Sequence, residues 1–270
     1  MSIVTISRGS YSRGKDVAEK VAKKLGYTCI GREDLLASSI EYNIPEVKYL
    51  KSIPNALSAL DNFAGGKDRY VAYIQAALTS RVKSDNVVYH GLAGHFLLEG
   101  IAHVLKVRII APLEYRVKVV MERDNVSRQK AIRILKKDDD ERYRWSRKLF
   151  LVDQRDCNLY DLMLNIDKCT VDDAVDLICH AVEFKGFRTT LESKKAMDNL
   201  QLTCAVKAEL VDIEPDIEVS ADDGYVTVKL ITRGTEEDED ELAVAMKKAA
   251  LDVTGVKDVA VNILRFASLE

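Results

Sequence analysis

The opening stretch MSIVTISRGSYSRGKDVAEKVAKKL constrains the fold more than any other part of the chain. Ile3, Val4 and Ile6 stand among small hydroxylated residues, which reads as a short buried strand over 2–7. Gly9 and Gly14 then bracket a loop, Lys15 follows, and Val17, Ala18, Val21, Ala22 and Leu25 recur at helical spacing. A strand, a glycine loop and an amphipathic helix in that order turn loop N–H groups and the positive end of the helix toward one point, a geometry suited to an anion. Gly9-x-x-x-x-Gly14-Lys15 has the phosphate-loop spacing, with Asp16 where that pattern closes on Ser or Thr. Gly9, Ser10, Tyr11, Ser12, Arg13, Gly14, Lys15 and Asp16 are therefore the candidate phosphate-binding set, and Lys15 is the side chain that would reach terminal phosphates. An ordinary strand-to-helix turn is the plainer alternative. The order of the surrounding elements favours the phosphate loop.

Charge divides the chain. Residues 198–270 carry 7 basic and 17 acidic side chains, whereas residues 1–197 carry 33 and 26. Most of the basic excess lies in 116–148, where 12 basic residues face 6 acidic ones. Two parts with different partners are expected, and only the basic one suits polyphosphates. With 270 residues and 47% hydrophobic content there is material for one large domain or two smaller ones. No apolar run is long enough for a membrane span and no signal peptide precedes the first strand, so a cytoplasmic location is the expectation. Cys29, Cys157, Cys169, Cys179 and Cys204 are scattered without C-x-x-C spacing and read as reduced thiols, not as a metal site or disulfide frame. The basic residues lack interleaved aromatics, so nothing points to nucleic acid.

Strands alternate with helices along the first part. Strands are expected at 27–30, 86–89, 104–111 and 162–166, with helices at 35–40, 70–83, 114–122, 127–137, 141–149 and 174–182, and an irregular connection over 43–68. Ser127 and Thr170 are the expected N-caps. This rhythm means an α/β fold, a parallel sheet flanked by helices, with the phosphate loop at the carboxyl end of the first strand. From 187 to 198 the chain turns polar and aperiodic, the expected linker. Beyond it a helix over 200–210, strands at 217–220 and 225–231 around Asp222-Asp223-Gly224, a helix over 242–253 and a strand at 258–266 make a small α+β unit of αββαβ order. The expected division is thus 1–186, 187–198 and 199–267.

The 116–148 segment joins two strands and carries Arg123, Lys130, Arg133, Lys137, Arg142 and Arg147 on its helices. In nucleoside monophosphate kinases a helical lid supplies arginines to the phosphoryl group in flight and excludes water. A solvated hairpin with i,i+4 pairs such as Asp138 with Arg142 is the alternative. Residues 1–185 resemble the cytidylate kinase-like family of P-loop kinases, through "VTISRGSYSRGKDVAEKVAKKLGY", "REDLL", "LKVRIIAPLEYRV", "VSRQKAIRILKKDDDER" and "LYDLMLNIDKCTVDDAVDLI". The resemblance implies a P-loop kinase fold with a helical lid, and γ-phosphoryl transfer from ATP to CMP, dCMP or a related acceptor with Mg2+. Carried onto this sequence, residues 9–16 form the phosphate loop and Lys15 binds the β- and γ-phosphates. Arg142 of Asp139-x-x-Arg142 becomes the lid arginine, with Arg123, Lys137 and Arg147 beside it. Asp16 replaces the hydroxyl that usually ligates Mg2+, so the metal is held by Asp16 itself or through water. Gly91-Leu92-Ala93 stands where relatives often read Gly-Arg-Gly, and Gly31 where an acceptor-reading aspartate would be convenient. Glu33, Asp34, His90 and His95 are the substitutes for acceptor binding; the histidines could equally be satisfied groups at a strand end.

Residues 198–266 resemble the BON domain of bacterial envelope and osmotic-shock proteins, through "LTCAVKAELVDIEPDIEVSADDGYVTVKL" and "GVKDVAVNIL". That resemblance implies a binding module, and its net acidity argues against anionic lipid. A small ligand, a protein partner or homo-oligomerisation is the expected use. A kinase of nucleotide substrates and a non-catalytic nucleotide sensor both fit the sequence at this point.

Overall fold

The structure, a computed structural model, describes residues 2–38, 65–91, 93–232 and 236–265. Of the expected irregular connection over 43–68, residues 43–64 lie outside them, as do the end of the expected helix at 39–40 and Leu92, whereas its last residues, 66–68, begin a helix.

Five strands, β1 (Ile3–Arg8), β2 (Thr28–Gly31), β3 (Val87–His90), β4 (Val104–Ile110) and β5 (Leu162–Asn165), form one sheet in the order β2-β3-β1-β4-β5. Every pairing is parallel, with Ile3 beside both Val87 and Val104. The side-chain period of two splits these strands between two cores. Val4, Ile6, Val88, Leu105, Val107 and Ile109 face α1 (Gly14–Leu25) and α7 (Val171–Val182). Ile3, Val87, Tyr89 and Val104 face the other side, against α3 (Gly66–Val82), α4 (Gly94–Leu97) and Trp145. A short α2 (Arg32–Ser38) follows β2. With helices on both faces the central strands β1 and β4 are mostly apolar, as purely parallel sheets favour, but Thr5, Ser7, Lys106 and Arg108 interrupt them.

Between β4 and β5 run α5 (Leu113–Asp124) and α6 (Arg128–Phe150). The sequence suggests two helices with a break near 138–140, but α6 is one helix of 23 residues. Its acidic run stays helical because Asp139 is engaged by partners outside the helix, described below. Ser127 caps α6 by accepting from the Lys130 N–H, and Thr170 caps α7 in a capping box with Asp173, as their positions suggest.

The expected linker is largely helix. After a 3-10 turn at Lys185–Phe187, α8 (Leu191–Leu210) begins, capped by Thr190 and Ser193 in reciprocal hydrogen bonds. Lys194, Lys195 and Asp198 in its first turns disguise the apolar period. Two faces of α8 are apolar. Met197, Cys204 and Ala208, with Val211 just beyond, join the core that holds Tyr73 and Ala77 of α3. Leu202, Val206 and Leu210 join a separate core with Val226, Val228 and Met246. That second core is closed by β6 (Ile217–Asp222), β7 (Tyr225–Thr232), α9 (Glu236–Leu251) and β8 (Asp258–Arg265). Strand β7 pairs antiparallel with β6 and parallel with β8. With α8 this is the αββαβ order expected from the sequence. Asp223 and Gly224, both at positive φ, make the two-residue hairpin turn between Asp222 and Tyr225. Side chains tie the unit to α3 as well: Tyr73 donates to Asp212 at 2.7 Å, and Arg69 lies 3.1 Å from the same carboxylate.

Candidate functional site: a phosphate loop under a basic helix pair

The loop leaves β1 at the carboxyl edge of the sheet. The Gly9 N–H bonds the Ile109 carbonyl at 2.9 Å, and the buried Ser12 hydroxyl lies 2.9 Å from both the Gly9 and Ile109 carbonyl oxygens. These bonds pin the loop to β4. Tyr11 and Arg13 both adopt left-handed backbone (φ 56 and 64), which turns successive N–H groups to one side. Arg13 is the N-cap of α1 yet gives it no side-chain cap. The first N–H groups of α1 are thus without the usual internal acceptor, the condition that favours an anion. Lys15 is exposed on the first turn, held only loosely by Glu19 at 3.6 Å. Asp16 is ion-paired with Arg13.

Helices α5 and α6 sit over this loop. The Ser10 hydroxyl donates to Asp139, and Arg116 Nη1 reaches both Asp139 oxygens (2.8 and 3.1 Å) and Ser10 Oγ (3.1 Å). Arg123 donates to the Tyr11 hydroxyl at 2.9 Å and lies over its ring at 4.6 Å. One turn beyond Asp139, Arg142 makes no hydrogen bond or ion pair among the described residues. Burial, and then the nearby Arg8 guanidinium, pushes its pKa down to about 10, which still leaves it charged near neutrality.

Arg142 lines two neighbouring cavities. The first, about 420 Å³, is walled by the loop with Arg8, Arg123 and Asp138. The second, about 450 Å³, lies between Gly9, Arg108, Arg116, Tyr143, Gln154 and Arg155. Arg108 is buried in mid-strand, and its side-chain hydrogen bonds among the described residues go to neutral groups, Ser7 Oγ at 3.0 Å and the Tyr160 hydroxyl at 3.1 Å. The two spaces are of a size for a polyphosphate chain and a nucleoside.

The remaining sequence candidates fall in different places. Lys137 is exposed near Glu141 (3.8 Å), and Arg147 donates to the Leu151 carbonyl at the end of α6; neither lines either of these two cavities. Asp34 accepts from the Gly31 N–H at 2.7 Å and so supports the turn into α2. Glu33 and His90 meet over Gly31, where an added Cβ would stand 3.0 Å from Glu33 Oε2 and 3.1 Å from the His90 ring. Burial, then Arg8, lowers the His90 pKa. His95 lies apart from these, 3.2 Å from the Tyr160 hydroxyl and packed on Phe96.

Burial, followed by the charges of Arg108 and Lys106, pushes the His95 pKa down to about 3. The unfolded chain binds this proton near pH 6.5 and the folded chain does not. Stability contributed by neutral His95 is therefore complete above that pH and is lost as pH falls toward 3. We expect urea melts of His95→Gln to lose less stability than the parent between pH 7 and 5. An unchanged pH slope would contradict this assignment.

Sequence reasoning missed Arg8, Arg108, Arg116, Asp138, Tyr143 and Arg155. A charged residue inside the apolar run VLKVRII was the available signal for Arg108, and one at the strand–loop junction was the signal for Arg8. The others carry no local mark.

A family model described as the cytidylate kinase-like family matches residues 3–168. A cytidylate kinase of Sulfolobus acidocaldarius is 29% identical over 108 residues, 40% of this chain and 58% of that protein. One from Methanocaldococcus jannaschii is 29% identical over 104 residues, 37% of this chain and 58% of that protein. The chain thus spans less than two thirds of the length of the curated relatives it matches. Among solved structures, an uncharacterized protein from Eubacterium ventriosum superposes with a TM-score of 0.53 at 22% identity, covering 68% of this chain and 100% of that one. That likeness concerns the fold alone. Among the described residues no helix is long and apolar enough to cross a membrane.

Proposed function

The chain belongs to the cytidylate kinase-like family, and on that premise we propose that it transfers the γ-phosphoryl of ATP to CMP, dCMP or a related nucleoside monophosphate. The observation that carries this reading is the convergence on one cavity of a left-handed, uncapped loop and of Arg142, which is unpaired among the described residues. In the transfer an oxygen of the acceptor phosphate bonds to the γ-phosphorus as the bond to the β–γ bridging oxygen breaks, and ADP leaves with that electron pair. An ionised acceptor phosphate needs no base, so the protein's contribution is position and positive charge. Loop N–H groups and Lys15 hold the triphosphate tail, and Arg142 meets the charge on the transferring group. The second cavity, with Tyr143 and Arg155, suits the donor nucleoside, and Arg8, Glu33 and His90 suit the acceptor side.

Magnesium enters with ATP. Among the described residues no three His, Cys, Asp or Glu side chains are gathered to hold a metal by themselves. Magnesium bound to phosphates keeps several waters and needs one or two carboxylates, and Asp16 and Asp138 stand on the cavity wall. Asp16 is held by Arg13, so it acts through water or after exchanging that partner.

The acidic αββαβ unit we take as a BON-like module that binds a small ligand, a protein or a second copy, acting with the kinase unit through α8. To test the function, ADP release would be followed with MgATP and a panel of CMP, dCMP, UMP, AMP and non-nucleotide hydroxyl acceptors. Turnover fastest with CMP or dCMP is expected. Turnover with another acceptor alone would replace the substrate, and nucleotide binding without any turnover would favour a sensor in which Asp16 has ended catalysis.

A further inference from the structure

Arg8 belongs to none of the elements that motif reasoning assigns to phosphate binding. It ends β1, one residue before the loop, and lines the 420 Å³ cavity together with Lys15 and Arg142. Its aliphatic stem is pinned against the first residue of α1: a Cβ on Gly14 would stand 2.7 Å from Arg8 Cβ and 3.2 Å from Cδ. Glycine at 14 leaves room for the Arg8 side chain, whose stem runs along it from Cβ to Cδ. Arg8 makes no hydrogen bond or ion pair among the described residues. Three carboxylates lie near enough to act on it, Glu33, Asp16 and Glu19. Asp16 is already paired with Arg13, and Glu19 lies beside Lys15. Burial lowers the Arg8 pKa, and Arg8 in turn depresses that of Arg142. Two partly desolvated guanidinium groups that repel each other, neither ion-paired to a carboxylate among the described residues, are stabilised by an anion placed between them.

We propose that Arg8 is a catalytic residue that contacts the γ-phosphoryl of bound ATP from the sheet side of the cavity, opposite Arg142, which engages that group from the helix side as it is transferred. This rests on the kinase reading above. Arg8 also faces Glu33 and His90, so it sits where donor and acceptor meet, and the charge spread over the transferring oxygens lies between two cations.

The contact distinguishes ATP from ADP, because only ATP carries the group that Arg8 touches. Titration calorimetry of the full chain with each nucleotide and excess Mg2+ reads this directly. Arg8→Met keeps the stem against Gly14 and removes the charge. It should bind ATP at least about ten-fold more weakly while ADP changes by less than about three-fold. The ratio of the two affinities is internal to each protein, so any loss of folded material cancels, and Arg8→Gln gives an independent neutral variant. Equal weakening of both nucleotides would mean that Arg8 only packs against Gly14, and no weakening of either would mean that it touches nothing; both overturn the proposal while leaving the kinase reading intact. A parent chain that binds neither nucleotide overturns the kinase reading itself, and the Arg8 contact with it.

Discussion

Lys15→Ala is expected to weaken MgATP binding by about a hundred-fold and to abolish detectable phosphoryl transfer. Lys15 stands on the first turn of α1, exposed, with a distant Glu19 as its partner, so its removal disturbs no packing. What disappears, on the proposed function, is a point charge placed to follow the β- and γ-phosphates. Arg142→Ala should behave differently. Its guanidinium is partly buried and lacks a hydrogen-bonded or ion-paired partner among the described residues, as expected of a group whose partner arrives only during reaction. We expect kcat to fall by about a thousand-fold while the dissociation constant for ATP moves by less than about three-fold. Steady-state rates and calorimetry on the two variants separate the roles. Equal loss of binding and rate at Arg142 would make it a ground-state phosphate ligand. Unaltered binding in Lys15→Ala would remove the loop from the site.

A chain cut at residue 186, the end of the kinase-like part by sequence reasoning, is expected to lose cooperative folding. The cut removes Met197, Cys204, Ala208 and Val211, which complete the core around Tyr73 and Ala77. It also removes Thr189, whose hydroxyl donates at 2.9 Å to Asp85, the carboxylate beside the buried His103. Exposing the apolar face that these four side chains cover costs on the order of 5 kcal/mol, comparable with the whole stability of many domains. Calorimetric or spectroscopic melting should show either no cooperative transition or a midpoint lower by more than about 10 °C. A truncated chain that melts like the full-length protein would show that α8 serves the small unit alone.

The parts of the fold legible in the sequence are those where local period and tertiary role agree. β1, the loop and α1 are the clearest, because a buried parallel strand and a one-faced helix each leave a simple pattern. The hairpin at Asp223-Gly224 was equally plain, since its turn chemistry is local. The continuity of α6 through Asp138, Asp139 and Asp140 was not legible. An acidic run reads as solvated, and only the tertiary bonds to Ser10 and Arg116 explain its place in a helix. Helix α8 was misread for a related reason: its first turns are charged, and its later ones are apolar on two faces, which blurs a one-sided period. The site divides similarly. The loop was visible as spacing, but Arg8 and Arg116 acquire meaning only when strands and helices distant in sequence bring them to one cavity.

The loop between β1 and α1 is the proposed seat for the phosphates of ATP. Titration calorimetry of the full chain with ATP and excess Mg2+ measures this directly. We expect saturable binding of about one nucleotide per chain, with a dissociation constant between about 1 μM and 1 mM. No heat of binding at several-fold higher nucleotide, with the protein shown to be folded, would contradict it.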